Sequence, residues 1–268
     1  MSSVRNESSH DPAAPTARVV LLGASNLTRG AGVVLDVAWQ RIGTPLDVLL
    51  AMGHGRAYRV RSCVFGRALP SIVECGLWRA IGERPPAPTA ALVTDIGNDL
   101  MYGVAVDEIV AAVVQCLARL AAVGSRVVMT LPPVCNLPQL SPARYYLLRN
   151  VLFPTCWLGF DCVVARACEL EEKLRTLGSD HVQLLEPRDD WYGFDPIHLR
   201  RNRRRGAWGE VLERWPQVDT AQGPTLRARR SWHDMIGLFP ERRWILGLPY
   251  CRQQPARRLA DNTTLSLF

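Results

Sequence analysis

Lysine is nearly missing from this chain. Of 32 basic residues among 268, only Lys173 is not an arginine. With 25 acidic residues the formal charge is +7, a balance that tolerates acidic partners in general. The chain has no RNP aromatics, no zinc-finger spacing and no long basic tract, so a nucleic-acid partner is not expected. Paired cysteines are missing as well. None of the eight forms a C-x-x-C motif, and Cys156, Cys162 and Cys168 are too widely spaced for one helical face, so no metal site is expected. Most cysteines read as small buried hydrophobes in a reducing compartment. No apolar run reaches membrane-spanning length. The opening segment MSSVRNESSHDPAAPTA is polar and rich in Ala and Pro, without the apolar centre of a secretion signal. The expectation is a cytoplasmic protein with no membrane span and a loose tail over residues 1–17. No internal repeat is present.

What the chain does contain is apolar substance: 48% hydrophobic residues, enough for one domain with an appendage or for two small domains. Continuous apolar runs stand at RVVLLG (18–23), LDVLLAMG (46–53), TAALVTDIG (89–97), SRVVMTLPP (125–133) and HVQLLEP (181–187). Such runs, bounded by Gly or Pro, suit strands buried on both faces. Helical patterns lie between them: VVLDVAWQRIG, closed by Gly43, and VDEIVAAVVQCLARLAAVG, with an acidic first turn and Gly124 at its end. Further helical patterns are ARYYLLRNVLF, DCVVARACELEEKLRTLG and RRNRRRGAWGEVLERW (200–215). The stretch AYRVRSCVFGRALPSIVECGLWRAIG reads as helical with interruptions. Five apolar strands alternating with helices predict an α/β fold, a parallel sheet wrapped by helices on both faces.

In such sheets the working residues sit just beyond the carboxyl ends of the strands. Gly23-Ala24-Ser25-Asn26 follows the first run. Gly53-His54-Gly55 follows the second, Gly97-Asn98-Asp99 the third, and Asp195 with His198 the fifth. Alone, each has a plain explanation: a helix-capping serine, a strand-exit turn, an aspartate before Pro196 at a helix start. Together they suit acyl transfer. A serine hydroxyl needs a base, imidazole serves near neutral pH, and a carboxylate holds the imidazole's tautomer. Donors for an oxyanion are available from the Ser25 N–H near a helix N-terminus, from a glycine after the second strand, and from the Asn98 side chain.

At these residues the sequence resembles a family, the SGNH hydrolases, also called GDSL-like esterases and lipases. Ser25 in GASN, Gly55 in GHGRAY, Asn98 in GND and His198 in DPIH match its four blocks in order, over about residues 18–215. The resemblance implies a flavodoxin-like three-layer α/β/α fold with a five-stranded parallel sheet. It implies Ser25 as nucleophile, His198 as base, Asp195 as its partner, and Ser25, Gly55 and Asn98 as the oxyanion hole, with no cofactor and no metal. Two departures stand out. The usual Gly-Asp-Ser is Gly-Ala-Ser-Asn here, and Asn26 is expected to replace some of the missing aspartate's hydrogen bonding. In the second block Gly53 competes with Gly55.

The implied activity is cleavage of a small-molecule ester. Two alternatives stay open: an O-acyltransferase using the same site, and a catalytically silent binding protein of the same fold. Asn26 and His54 are weak candidates for touching substrate. Asp99 reads as a turn residue, and Tyr145 and Tyr146 as core residues that could line an acyl pocket. The arginines from Arg200 to Arg205 read as a solvated helix start, with Asp189 and Asp190 facing solvent or these arginines. From Gln217 onward the βα rhythm stops. The segment 217–268 is expected to pack on the 18–216 domain or on a second subunit in a homo-oligomer, with ADNTTLSLF as a short strand or hairpin arm.

Overall fold

The computed structural model describes residues 15–134, 137, 140–193, 195–215, 235 and 237–268. The greater part of the expected tail, residues 1–14, and most of the stretch 216–236 lie outside the described residues.

The five apolar runs become the strands β1 (Ala17–Leu22), β2 (Leu46–Ala51), β5 (Thr89–Val93), β6 (Arg126–Thr130) and β7 (Val182–Leu185). They pair in parallel in the order β2-β1-β5-β6-β7. Their side chains alternate between two cores, as the period of two demands. In β1, Val19 and Leu21 enter one core, Val20 and Leu22 the other, and all four are fully buried. Helices α1 (Ser25–Ile42) and α7 (Arg204–Leu212) cover the first core, while α2 (Leu77–Glu83), α4 (Val106–Ala122) and α6 (Phe160–Arg175) cover the second. The α1–α7 contact is close because Gly30 has no Cβ: one placed there would collide with the Trp208 indole. The molecule is thus the expected three-layer α/β/α arrangement. Two short helices, α3 (Asn98–Met101) and α5 (Pro142–Leu152), stand at the carboxyl end of the sheet.

The sheet is wider than five strands. From the C-terminal segment, β11 (Thr264–Leu267) pairs in parallel with β2, and β10 (Arg257–Arg258) pairs antiparallel with β11, giving seven strands in all. Asp47 ties this edge together. Its carboxylate accepts from Arg18 Nε at 2.9 Å, Arg84 Nη1 at 2.7 Å and Thr264 Oγ1 at 3.0 Å. Arg18 and Asp47 are both buried, and they are register partners on β1 and β2.

The stretch 57–82 is corrected by the structure. Only Leu77–Glu83 is helical there. Ser62–Val64 and Arg67–Leu69 form the hairpin β3–β4, turning at Phe65 and Gly66, whose φ values of 50° and 69° define a left-handed two-residue turn that no helix accommodates. This hairpin joins β8 (Arg242–Ile245) and β9 (Leu248–Cys251) in a second, four-stranded antiparallel sheet.

The cysteines also depart from expectation. Of the seven described, all are free; Cys75, Cys116 and Cys156 are buried, but Cys63, Cys162, Cys168 and Cys251 are exposed. Cys63 and Cys251 lie on the small sheet, and Cys162 and Cys168 on exposed positions of α6. Among the described residues no helix is long and apolar enough to cross a membrane.

Candidate active site

Three of the strand-exit residues meet. Ser25 is the first residue of α1, directly after the β1 exit. Its Oγ lies 2.9 Å from His198 Nε2, and His198 Nδ1 lies 2.7 Å from Asp195 Oδ2. Residues 173 positions apart are thus in hydrogen-bond contact. The carboxylate next to Nδ1 favours the tautomer with its proton on that nitrogen, leaving the Nε2 lone pair toward the hydroxyl. Burial pushes the Asp195 carboxyl up, but the hydrogen bond and charge of His198, with the N–H groups of Ile197 and His198, outweigh it and hold the group below its usual range.

The turn bearing Ser25 is organised by a residue the sequence reading passed over. The residue before α1 is Ala24, which has no side chain able to cap, and the first turn of α1 carries no acidic residue. Asp95, at the exit of β5, supplies the acceptor. Its Oδ2 takes the N–H of Ala24 at 2.8 Å and of Leu27 at 3.0 Å, and its Oδ1 takes Asn26 Nδ2 at 2.9 Å. Asp95 itself has φ 57°, a left-handed conformation that aspartate tolerates better than most residues. A carboxylate there satisfies helix N–H groups and complements the positive end of the helix dipole. The signal was available in the sequence: a helix opening on Ala-Ser-Asn without an acidic first turn needs an acceptor from elsewhere, and Asp95 leaves the neighbouring strand.

Asn26 links this turn to the histidine loop. Its Nδ2 also donates to the Ile197 carbonyl at 2.9 Å, and its Oδ1 accepts the Leu199 N–H at 2.9 Å. The amide therefore grips the backbone on both sides of His198. Both of its N–H groups and its oxygen are engaged, so the amide holds the loop.

The remaining candidates are placed as follows. Asn98 stands at the start of α3, and one of its amide hydrogens goes to the Arg56 carbonyl at 3.0 Å. Asp99 is fully buried and accepts the N–H groups of Tyr58 and Arg59, each at 2.7 Å. It fixes the loop after β2, and its burial pushes its carboxyl up. Gly55 has φ 65°, its carbonyl accepts from Tyr102 Oη at 2.9 Å, and a Cβ there would strike Val64. Partial burial, then the charges of Arg29, His198 and Arg67, lower the His54 imidazole's pKa, with Asp95 opposing.

A cavity of about 330 Å³ opens beside Ser25 and His198. Asn26, Asn98 and Asp195 line it; His54 and Gly55 do not. Its walls are chiefly apolar, with Leu100, Leu140, Leu148, Phe153 and Leu170 prominent. Tyr145 also lines it, its hydroxyl bonded to the Leu158 carbonyl at 2.9 Å, whereas Tyr146 is exposed. Among the arginines after His198, Arg203 lies 3.8 Å from Asp190, and Arg205 lies 3.9 Å from Asp36. These are long surface pairs that contribute little. Among the described residues no group of three or more His, Cys, Asp or Glu side chains is arranged to hold a metal ion.

No protein-family model and no curated protein matches this chain. Solved structures do resemble it. A member of the lipolytic G-D-S-L family from Veillonella parvula aligns over 74% of this chain and 98% of its own, at 11% identity and TM-score 0.44. An acetyl xylan esterase aligns over 73% and 98%, at 12% identity and TM-score 0.47. A carbohydrate esterase of family 3 from Talaromyces cellulolyticus aligns over 73% and 94%, at 11% identity and TM-score 0.41.

Proposed function

We propose that this protein is an SGNH-type serine hydrolase that cleaves an ester bond. The observation that carries the reading is the continuous chain Ser25 Oγ to His198 Nε2 to Asp195, at 2.9 and 2.7 Å, at the edge of an apolar-walled cavity. Ser25 Oγ attacks the acyl carbon and its proton passes to His198 Nε2. The carbonyl oxygen becomes an oxyanion. The Ser25 N–H, in a helical first turn where no intrahelical partner exists, and the second amide hydrogen of Asn98 stabilise it. Gly55 remains the third candidate donor, from a loop held by Asp99 and Tyr102. His198 then protonates the leaving alcohol as the carbon–oxygen bond breaks, leaving the acyl group on Ser25. Water, deprotonated by His198, attacks the acyl-serine. The acid leaves and the proton returns to Ser25. Asp195 stabilises the imidazolium at each stage. The apolar walls suit an aliphatic or aromatic acyl group better than a charged one.

Intact-mass analysis after exposure to a fluorophosphonate, with a series of p-nitrophenyl esters assayed in parallel, tests this. A single adduct on the wild type, absent from Ser25→Ala, together with ester turnover, supports the reading. Folded protein with neither adduct nor turnover overturns it and favours a silent binding protein.

A further inference from the structure

The small sheet ends in two tight turns set side by side. Phe65–Gly66 joins β3 to β4, and Leu246–Gly247 joins β8 to β9. All four residues have positive φ, the mark of turns that close a two-residue hairpin. The Leu246 N–H donates to the Gly66 carbonyl at 2.7 Å, so the tips form one unit. The turns themselves are apolar, which is unusual for hairpin tips. Phe65 is 76% exposed, Leu246 82% and Leu248 63%. Three large apolar side chains therefore stand in water at the turns of the small sheet, and such clusters mark interaction sites.

Behind the tips is a ring of arginines. Residues 60–70 and 242–252 contain Arg61, Arg67, Arg242, Arg243 and Arg252 and no acidic residue. Among the described residues none of these five pairs with a carboxylate. Four of them lie over aromatic rings instead: Arg61 and Arg242 over Trp244, Arg243 over Phe239 and Tyr250, Arg252 over Phe239. Strand alternation puts Arg242 and Arg243 on opposite faces of β8, so charge surrounds the element. Arg243 stands three residues behind Leu246, roughly 10 Å at the usual rise of a strand.

We propose that these twin hairpin tips dock the protein on an anionic lipid surface. Apolar tips enter the interface, where faces of this kind sink about 5–10 Å. The arginines then lie at headgroup level and meet lipid phosphates, with Arg67, one residue behind its turn, snorkelling outward. Charge complementarity selects this occupant. A second copy of the chain would bring arginine against arginine. A nucleic acid would engage the arginines but leave Leu246 and Leu248 in water. The inference does not depend on the proposed activity.

Sedimentation with vesicles tests it, using phosphatidylcholine alone and an equal mixture with phosphatidylglycerol. The wild type is expected to partition onto the mixed vesicles and far less onto the neutral ones, with the difference shrinking at high salt. Phe65→Ser combined with Leu246→Ser is expected to weaken partition by about tenfold or more. Arg67→Gln combined with Arg242→Gln is expected to weaken it about fivefold per arginine. These positions are exposed, and an unchanged thermal midpoint confirms that each variant folds. Equal binding to both vesicle types, no binding to either, or partition indifferent to both double variants overturns the proposal. So does binding to an oligonucleotide in place of vesicles, or a dimer in ultracentrifugation that the tip variant dissolves. Turnover of a water-soluble ester, measured without lipid, keeps these outcomes separate from the fate of the hydrolase reading.

Discussion

Asn26 grips the chain on either side of His198, donating to the Ile197 carbonyl and accepting the Leu199 N–H, each at 2.9 Å. The imidazole is therefore held against the very turn that presents Ser25, by the residue next to it in sequence. Asn26→Ala is expected to lower kcat by about tenfold to a hundredfold, a 1 Å displacement of a reacting group being enough for the larger value. KM should change little, and fluorophosphonate labelling of Ser25 should slow by a similar factor. A loss of stability with normal labelling kinetics would show that Asn26 serves the fold alone.

Asp95 is the acceptor for the Ala24 and Leu27 N–H groups and for the Asn26 side chain. Asp95→Ala leaves these donors without their carboxylate at the head of α1. The expected cost is about 1–3 kcal/mol of stability, from unsatisfied donors and a lost cap. A urea unfolding midpoint should fall accordingly. Asp95→Asn should recover part of the stability, because one amide oxygen can still accept.

Asp195 has a depressed pKa, so the sign of its pH dependence is fixed. The stability it contributes is fully present above the unfolded carboxylate value of about 3.9 and is lost as pH falls through the lower folded value. Asp195→Asn should therefore have its smallest effect on stability in strong acid and its full effect from mildly acidic pH upward. Thermal midpoints of wild type and variant across that range test this. Turnover of Asp195→Asn should fall by about 10⁴-fold, the loss seen in serine proteases when the tautomer is reversed.

Asp47 receives Arg18, Arg84 and Thr264 at a buried edge of the sheet. Asp47→Ala strands a buried arginine and is expected to cost about 3–5 kcal/mol. Hydrogen exchange should report faster opening of Thr264–Leu267 than of β5 and β6. Equal protection of these strands in the variant would remove Asp47 as the fastening of β11.

Strands β1, β2, β5 and β6 were legible because they are buried on both faces and read as largely apolar runs, whereas β7, which carries an exposed Gln183, was legible from its place in the alternation of strands with helices. The meeting of Ser25, Asp195 and His198 was legible because each follows a strand at its carboxyl end, where a parallel sheet gathers its loops. The β3–β4 hairpin was not. Val60 to Leu69 has arginines between its apolar residues, which mimics a helical face, and only the left-handed pair Phe65–Gly66 distinguishes the turn. Asp95 escaped notice because its partners are backbone N–H groups on another element, a relationship no local spacing encodes. Asn26 was read as a local substitute for an aspartate, and its reach to residue 199 depends on a loop whose path the sequence does not state. The place of β11 beside β2 is a pairing across 217 positions, set by the free edge of β2 and the Asp47 cluster.

That pairing has a consequence for how the molecule is made. The sheet is assembled from the ribosome outward, and β2 leaves the exit tunnel more than two hundred residues before its outer neighbour. Until Thr264–Leu267 is synthesised, β2 presents an open row of backbone donors and acceptors on a strand whose residues end up fully enclosed. Such an edge is a template for wrong partners, and closing it last is slow because the loop to be closed is long. Chains halted before residue 264 should therefore be drawn into aggregates or held by chaperones, even though every residue of the proposed triad has already been translated.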